Sequence, residues 1–121
     1  MAKMKLYFIS FTFVVGSLFW GCTSDYSRNL GNGYVFCNEG DDLKYIFHEH
    51  SIGGEIPPTV LSYKFNNEFI VVKQSPRLSN NQNFICYYII IKNENRIYGP
   101  FCLEEYVKQK KKYGITLKIE D

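Results

Sequence analysis

"TVLSYKFNNEFIVVKQ", Thr59 to Gln74, is the stretch on which the fold turns. Leu61, Tyr63 and Phe65 alternate with Ser62 and Lys64, the period of two that a half-buried strand requires. Asn66 and Asn67 both tolerate the positive φ of a tight two-residue turn, and Glu68 to Gln74 run back, so the stretch reads as an antiparallel hairpin. Beyond a polar loop, "SPRLSNNQN", comes "FICYYIIIK", Phe84 to Lys92, apolar on both faces. That pattern belongs to a central strand covered on each side. Asn93-Glu94-Asn95 then turns the chain into a short returning strand at Arg96 to Tyr98. Strands that follow one another through short turns make a meander rather than a parallel sheet.

Working outward from this hairpin, "GYVFC" and "DLKYIFHEH" (Asp42 to His50) are two further strands by their Tyr, Phe, Val and Ile content. "SIGGEIPP" reads as a loop, because Gly53-Gly54 and Pro57-Pro58 do not continue a ladder. On the other side Gly99-Pro100 breaks the sheet and a helix follows, with Leu103, Tyr106, Val107 and Tyr113 near one face. Glu104 and Glu105 lie in its first turn, Lys108 and Lys110 to Lys112 in its last, as the helix macrodipole favours. Gly114 supplies the stop, and Cys102 stands at the N-cap where Ser is usual. "ITLKI" is expected to add a final short strand. The fold class is therefore α+β: a small antiparallel sheet built of hairpins, with one C-terminal helix packed on it.

The chain opens with "MAKMKLYFISFTFVVGSLFWGC". Lys3 and Lys5 precede an apolar run from Leu6 to Trp20, shorter than the roughly 20 residues a helix needs to cross a bilayer. A cationic start, a short apolar centre and a small residue before the cut describe a secretory signal at residues 1–21. Leu18-Phe19-Trp20-Gly21-Cys22 resembles a bacterial lipobox, with Phe19 and Trp20 bulkier than its usual residues. The resemblance implies cleavage after Gly21 and diacylglycerol on the sulfur of Cys22. With each buried methylene contributing about 0.8 kcal/mol, two or three acyl chains anchor a protein stably. Residues 22–33 then read as the lipidated cysteine and a polar tether, and residues 34–121 as one globular domain. The localisation expected is the bacterial cell envelope, lipid-anchored on its periplasmic or cell-surface side.

Charge excludes one class of partner. The chain has 14 basic and 12 acidic residues. Losing Lys3 and Lys5 with the signal leaves 12 of each, too balanced for nucleic acid, whose phosphates are bound by Lys and Arg releasing counterions. The single Trp, Trp20, also leaves with the signal, which argues against a sugar-stacking surface.

Sites of chemistry are few. His48 and His50 flank Glu49, and on a strand both imidazoles would share a face, a geometry able to hold zinc or copper. A third ligand would have to come from Asp41, Asp42 or a cysteine brought in by the fold, and no spacing fixes one. No catalytic residue, cofactor site or metal site is assigned. With Cys22 acylated, Cys37, Cys86 and Cys102 allow at most one disulfide, in any of three pairings. Cys86, within "FICYYIII", reads as a small buried apolar residue.

Taken together, Ile56, Pro57, Pro58, Val60 and Tyr63, then Lys73 and Gln74, then Tyr98, Gly99, Pro100, Glu104, Glu105 and Tyr106 resemble the motifs of a family of small bacterial lipoproteins defined by a domain of unknown function. The resemblance implies the envelope address and no activity. The functional expectation is an envelope-anchored, non-enzymatic binding or interaction module, attached to the membrane through its lipid and engaging a protein partner. The alternative is a small metal-binding protein or hydrolase using His48 and His50.

Overall fold

The computed structural model describes residues 26–50, 54–76 and 84–119. Residues 1–21, expected to be a signal, and Cys22 lie outside the described residues. Among the described residues eight strands and one α-helix follow in chain order, with a single 3-10 turn at Lys92–Glu94: β1 (Tyr26–Gly31), β2 (Tyr34–Asn38), β3 (Lys44–His48), β4 (Glu55–Ile56), β5 (Val60–Phe65), β6 (Phe69–Gln74), β7 (Cys86–Ile91), β8 (Arg96–Phe101) and α1 (Leu103–Tyr113). They form two four-stranded antiparallel sheets, β1-β2-β3-β4 and β5-β6-β7-β8, each a meander. The α+β expectation holds, with two sheets in place of one.

Alternation along β6 and β7 explains the layering. Ile70 and Val72 of β6 and Ile90 of β7 join Leu30, Tyr34, Phe36, Ile46, Ile56 and Val60 in a core between the sheets. Val71 of β6 and Tyr87, Ile89 and Ile91 of β7 point the opposite way, into a second core with Tyr106, Ile115 and Ile119. Side chains of successive strand residues face opposite sides, so a strand in the middle layer of three must be apolar throughout. This is why "FICYYIII" carries no polar alternation. The layers are sheet, sheet, helix.

Several expectations change at the ends of elements. Residues 26–31, assigned to the tether, form β1, closed on β2 by a two-residue turn at Asn32-Gly33. Both turn residues have positive φ (54° and 88°), the requirement of the hairpin turn that matches strand twist, and Leu30 is the residue of β1 that the core buries. Glu55–Ile56, assigned to a loop, pairs with β3, which places Ile56 in the inter-sheet core. The β5–β6 hairpin is present, but Asn66 to Glu68 separate its strands, and Asn66 keeps a negative φ. Its Oδ1 instead accepts from the backbone N–H groups of Glu68 and Phe69.

Gly99-Pro100 does not end the sheet: β8 runs through to Phe101 with a register shift against β7. Gly99 sits at φ +132°, and a Cβ there would lie 2.7 Å from the carbonyl oxygen of Tyr87, so only glycine admits this close approach. In α1 the buried side is Tyr106 and Lys110, with Leu103 and Val107 exposed. Tyr106 stacks on Tyr87 at 4.5 Å between ring centroids, and Lys110 carries its ammonium back to the Leu117 carbonyl. Cys102 makes no side-chain cap. Gly114 adopts the left-handed conformation, with its N–H on Lys111 O and that of Ile115 on Lys110 O, a Schellman closure. The segment after it forms no strand, although Ile115 and Ile119 are buried against the middle sheet.

Candidate functional site

The histidine pair is resolved by hydrogen bonding. His48 ends β3 and is buried, whereas His50 lies beyond the strand in an exposed turn. His48 Nε2 lies 2.8 Å from the Asn32 carbonyl oxygen, and His48 Nδ1 receives the backbone N–H of His50 at 3.1 Å. A carbonyl only accepts and an N–H only donates, so the ring is the tautomer with its proton on Nε2. Both nitrogens are committed to backbone, leaving none for a metal ion or for proton transfer. His48 is a latch between the β1–β2 turn and the end of β3, and Tyr34 packs edge-on against it at 4.7 Å. Asp42 is exposed, and its carbonyl takes the hydroxyl of Thr59. Among the described residues no three His, Cys, Asp or Glu converge on a metal position.

The cysteines also separate. Cys86 is free and buried, and Cys102 is free and exposed. Cys37 is fully buried in β2. None of the three pairings among Cys37, Cys86 and Cys102 is made. Cys86 opens β7, at one end of the middle sheet.

What the fold does assemble is a cavity of about 540 Å³ at that end of the middle sheet. All four prolines of the chain, Pro57, Pro58, Pro76 and Pro100, line it. They come from the β4–β5 connection, the end of β6 and the bulge of β8, so three segments far apart in sequence converge here. Cys86, Tyr88 and Gln74 complete the wall, with Phe84 half-exposed at 49%. The Ile-Pro-Pro, Lys-Gln and Tyr-Gly-Pro motifs thus each contribute a residue. The volume lies within the range, roughly 300–1,000 Å³, of pockets that hold small molecules.

Among the described residues no lining side chain carries a charge. The Cys86 thiol is pushed up by burial, and the Tyr88 hydroxyl is pushed up first by burial and then by Cys86, with the Gln74 amide opposing. Both stay protonated at neutral pH, so the wall holds no thiolate nucleophile. Gln74 is 1% exposed. Its Nε2 donates to the Pro57 carbonyl at 2.7 Å, which fixes the amide orientation because that oxygen only accepts. Its Oε1 is then left with no hydrogen-bond partner. An enclosed acceptor without a partner costs about 1–3 kcal/mol and calls for a reason. Gln74 stood out in the sequence only as the polar end of an apolar strand, and Phe84 and Tyr88 carried no signal beyond strand propensity.

Residues 31–121 match a family model described as "Protein of unknown function (DUF3997)". No curated protein and no solved structure matches the chain. Since that model spans most of the 121 residues, including every strand from β2 to β8, the helix and the whole of the proline-lined cavity, the chain belongs to the DUF3997 family.

Proposed function

We propose that this protein is a non-enzymatic binding module held at the bacterial cell envelope by acyl chains on Cys22. The observation that supports binding is the cavity between the β4–β5 connection and the β8 bulge, whose described wall residues are uncharged and pair no nucleophile with a base. The anchor rests on the signal-like residues 1–21 and the lipobox-like Leu18 to Cys22. With β1 starting at Tyr26, Thr23, Ser24 and Asp25 separate Cys22 from the first sheet, a span of at most about 14 Å. The domain therefore rides directly on the bilayer surface, where a protein partner in the same membrane is within reach.

A sulfur that carries a thioether has no valence left for a disulfide. Acylation of Cys22 therefore leaves it no bond to make with Cys37. Expression of the full chain in a bacterium, followed by separation of membranes, tests the reading. The wild-type protein is expected in the membrane fraction and to resist high salt, and Cys22→Ala is expected to leave it. A wild-type protein found entirely outside the membrane fraction would refute the anchor.

A further inference from the structure

We infer that Cys86 and Cys102 are a redox-sensitive pair, joined by a disulfide-bearing oxidant into a bond that staples the start of β7 to the N-terminus of α1. The strand register carries the argument. Tyr87 of β7 lies opposite Phe101 of β8 in an antiparallel ladder, so the next position along places Cys86 opposite Cys102. Cys102 is one residue past β8, but its backbone is still extended, at φ −71° and ψ 168°. Side-chain direction agrees. Tyr87 and Phe101 both face the helix-side core, and successive strand residues face opposite sides, so Cys86 and Cys102 share the other face. Pro100, two residues before Cys102, lines the cavity together with Cys86 on that face. Directly opposed residues of an antiparallel pair have Cα atoms about 4.5–5.5 Å apart, within the roughly 4.4–6.8 Å that a disulfide spans. Both residues are free thiols, and the Cys102 side chain makes no cap hydrogen bond that would hold it elsewhere.

Exposure sets the order of the steps, since Cys102 is exposed and Cys86 is buried. The Cys102 sulfur attacks a disulfide RS–SR, forming a mixed disulfide and releasing one RSH. The Cys86 sulfur then attacks the Cys102 sulfur and expels the second RSH. The two thiol protons leave with the two RSH molecules, and the protein loses the two electrons that the oxidant gains. Burial keeps Cys86 largely protonated, so the closing step is slow and equilibration needs hours. Because Cys86 lines the cavity, the bond fixes one edge of its wall.

The test equilibrates the full chain, folded, with oxidised glutathione, and maps its cysteines by mass spectrometry after blocking thiols and digesting with trypsin. The expected product is one cross-linked peptide joining residues 78–92 to residues 97–108, each of which holds a single cysteine, and dithiothreitol should separate it. The thermal midpoint should rise by roughly 5–15 °C on oxidation and fall back on reduction, as closure of a short loop predicts. Cys102→Ser, at an exposed position, should fold normally and show neither the cross-link nor the rise. The inference is overturned if Cys86 and Cys102 stay as thiols, if glutathione remains on Cys102 without closure, if either cysteine bonds to Cys37 instead, or if the bond forms and the midpoint does not move. Neither sulfur takes part in the membrane partition of the Cys22→Ala variant. Failure of this pair to close therefore leaves the anchored-module reading to its own test.

Discussion

Replacing Gly99 by Ala perturbs the bulge that brings Pro100 to the cavity, and its cost follows from the geometry. At φ +132° an L side chain is strained by about 1–3 kcal/mol. The added Cβ also meets Tyr87 O at 2.7 Å and the Tyr88 ring at 2.9 Å, where ordinary contact begins at 3.4 Å. The first neighbour is backbone of the central strand β7, so it cannot swing aside, and forcing it apart costs about 1–3 kcal/mol more. Alanine restricts the unfolded chain and returns about 0.4–1 kcal/mol. The net expectation is a loss of about 2–5 kcal/mol, a large part of what a domain of this size has. Urea unfolding reads it as a midpoint lower by about 1–3 M at unchanged slope. Gly114→Ala supplies the control. It shares a positive φ (68°) but has nothing within 4 Å, so it should cost only about 1 kcal/mol. If the two variants lost the same amount, the close approach at Gly99 would carry no energy and the reasoning would fail.

Other outcomes follow from the same structure. His48→Ala unlatches Asn32 from the end of β3 and leaves a void beside Tyr34; it should cost about 2–4 kcal/mol by calorimetry and leave the zinc content of the purified protein unchanged. Tyr106→Ala should cost about 3–5 kcal/mol and Val107→Ala less than about 0.5 kcal/mol, since the helix buries the first and exposes the second. Tyr45 donates to Glu39 Oε2 at 2.6 Å and is pushed up to about 12, by burial first and then by Glu39. A raised acid is more easily ionised unfolded, so its contribution is whole below about pH 10 and is lost as pH rises toward 12. Tyr45→Phe should flatten part of that decline in pH-dependent melts. Lys92, lowered by burial, acts oppositely: its unfolded form holds the proton longer, so stability rises with pH as it discharges below 10.5, and Lys92→Met should remove that rise.

Much of the architecture was legible because burial on both faces leaves a local mark. The unbroken apolar run of β7, the alternation of β5 and the Gly114 stop each follow from one rule acting on adjacent residues. Errors fell where a single residue outweighs its segment. Tyr26 to Gly31 is polar apart from Leu30, yet the Asn32-Gly33 turn and that one buried side chain suffice to hold β1 on β2. Lys110, read only as a charge in the last helical turn, is buried with its ammonium over the Tyr106 ring and on a carbonyl, while Leu103 and Val107, read as part of the apolar face, are exposed. The candidate site was the least legible part. Its four prolines read as four separate breaks in the sequence, and only the pairing of distant strands shows them to be one wall. The histidine pair shows the converse: a His-x-His spacing places both rings on one face only if the strand continues, and β3 ends between them.

The proposed anchoring of this domain turns on Cys22, and intact mass spectrometry of the protein isolated from bacterial membranes reads it directly. The account predicts a chain that begins at Cys22 and carries the mass of a diacylglycerol thioether, with or without a further acyl group on its amine. A chain retaining residues 1–21, or a Cys22 with a free thiol or bonded to Cys37, would contradict it.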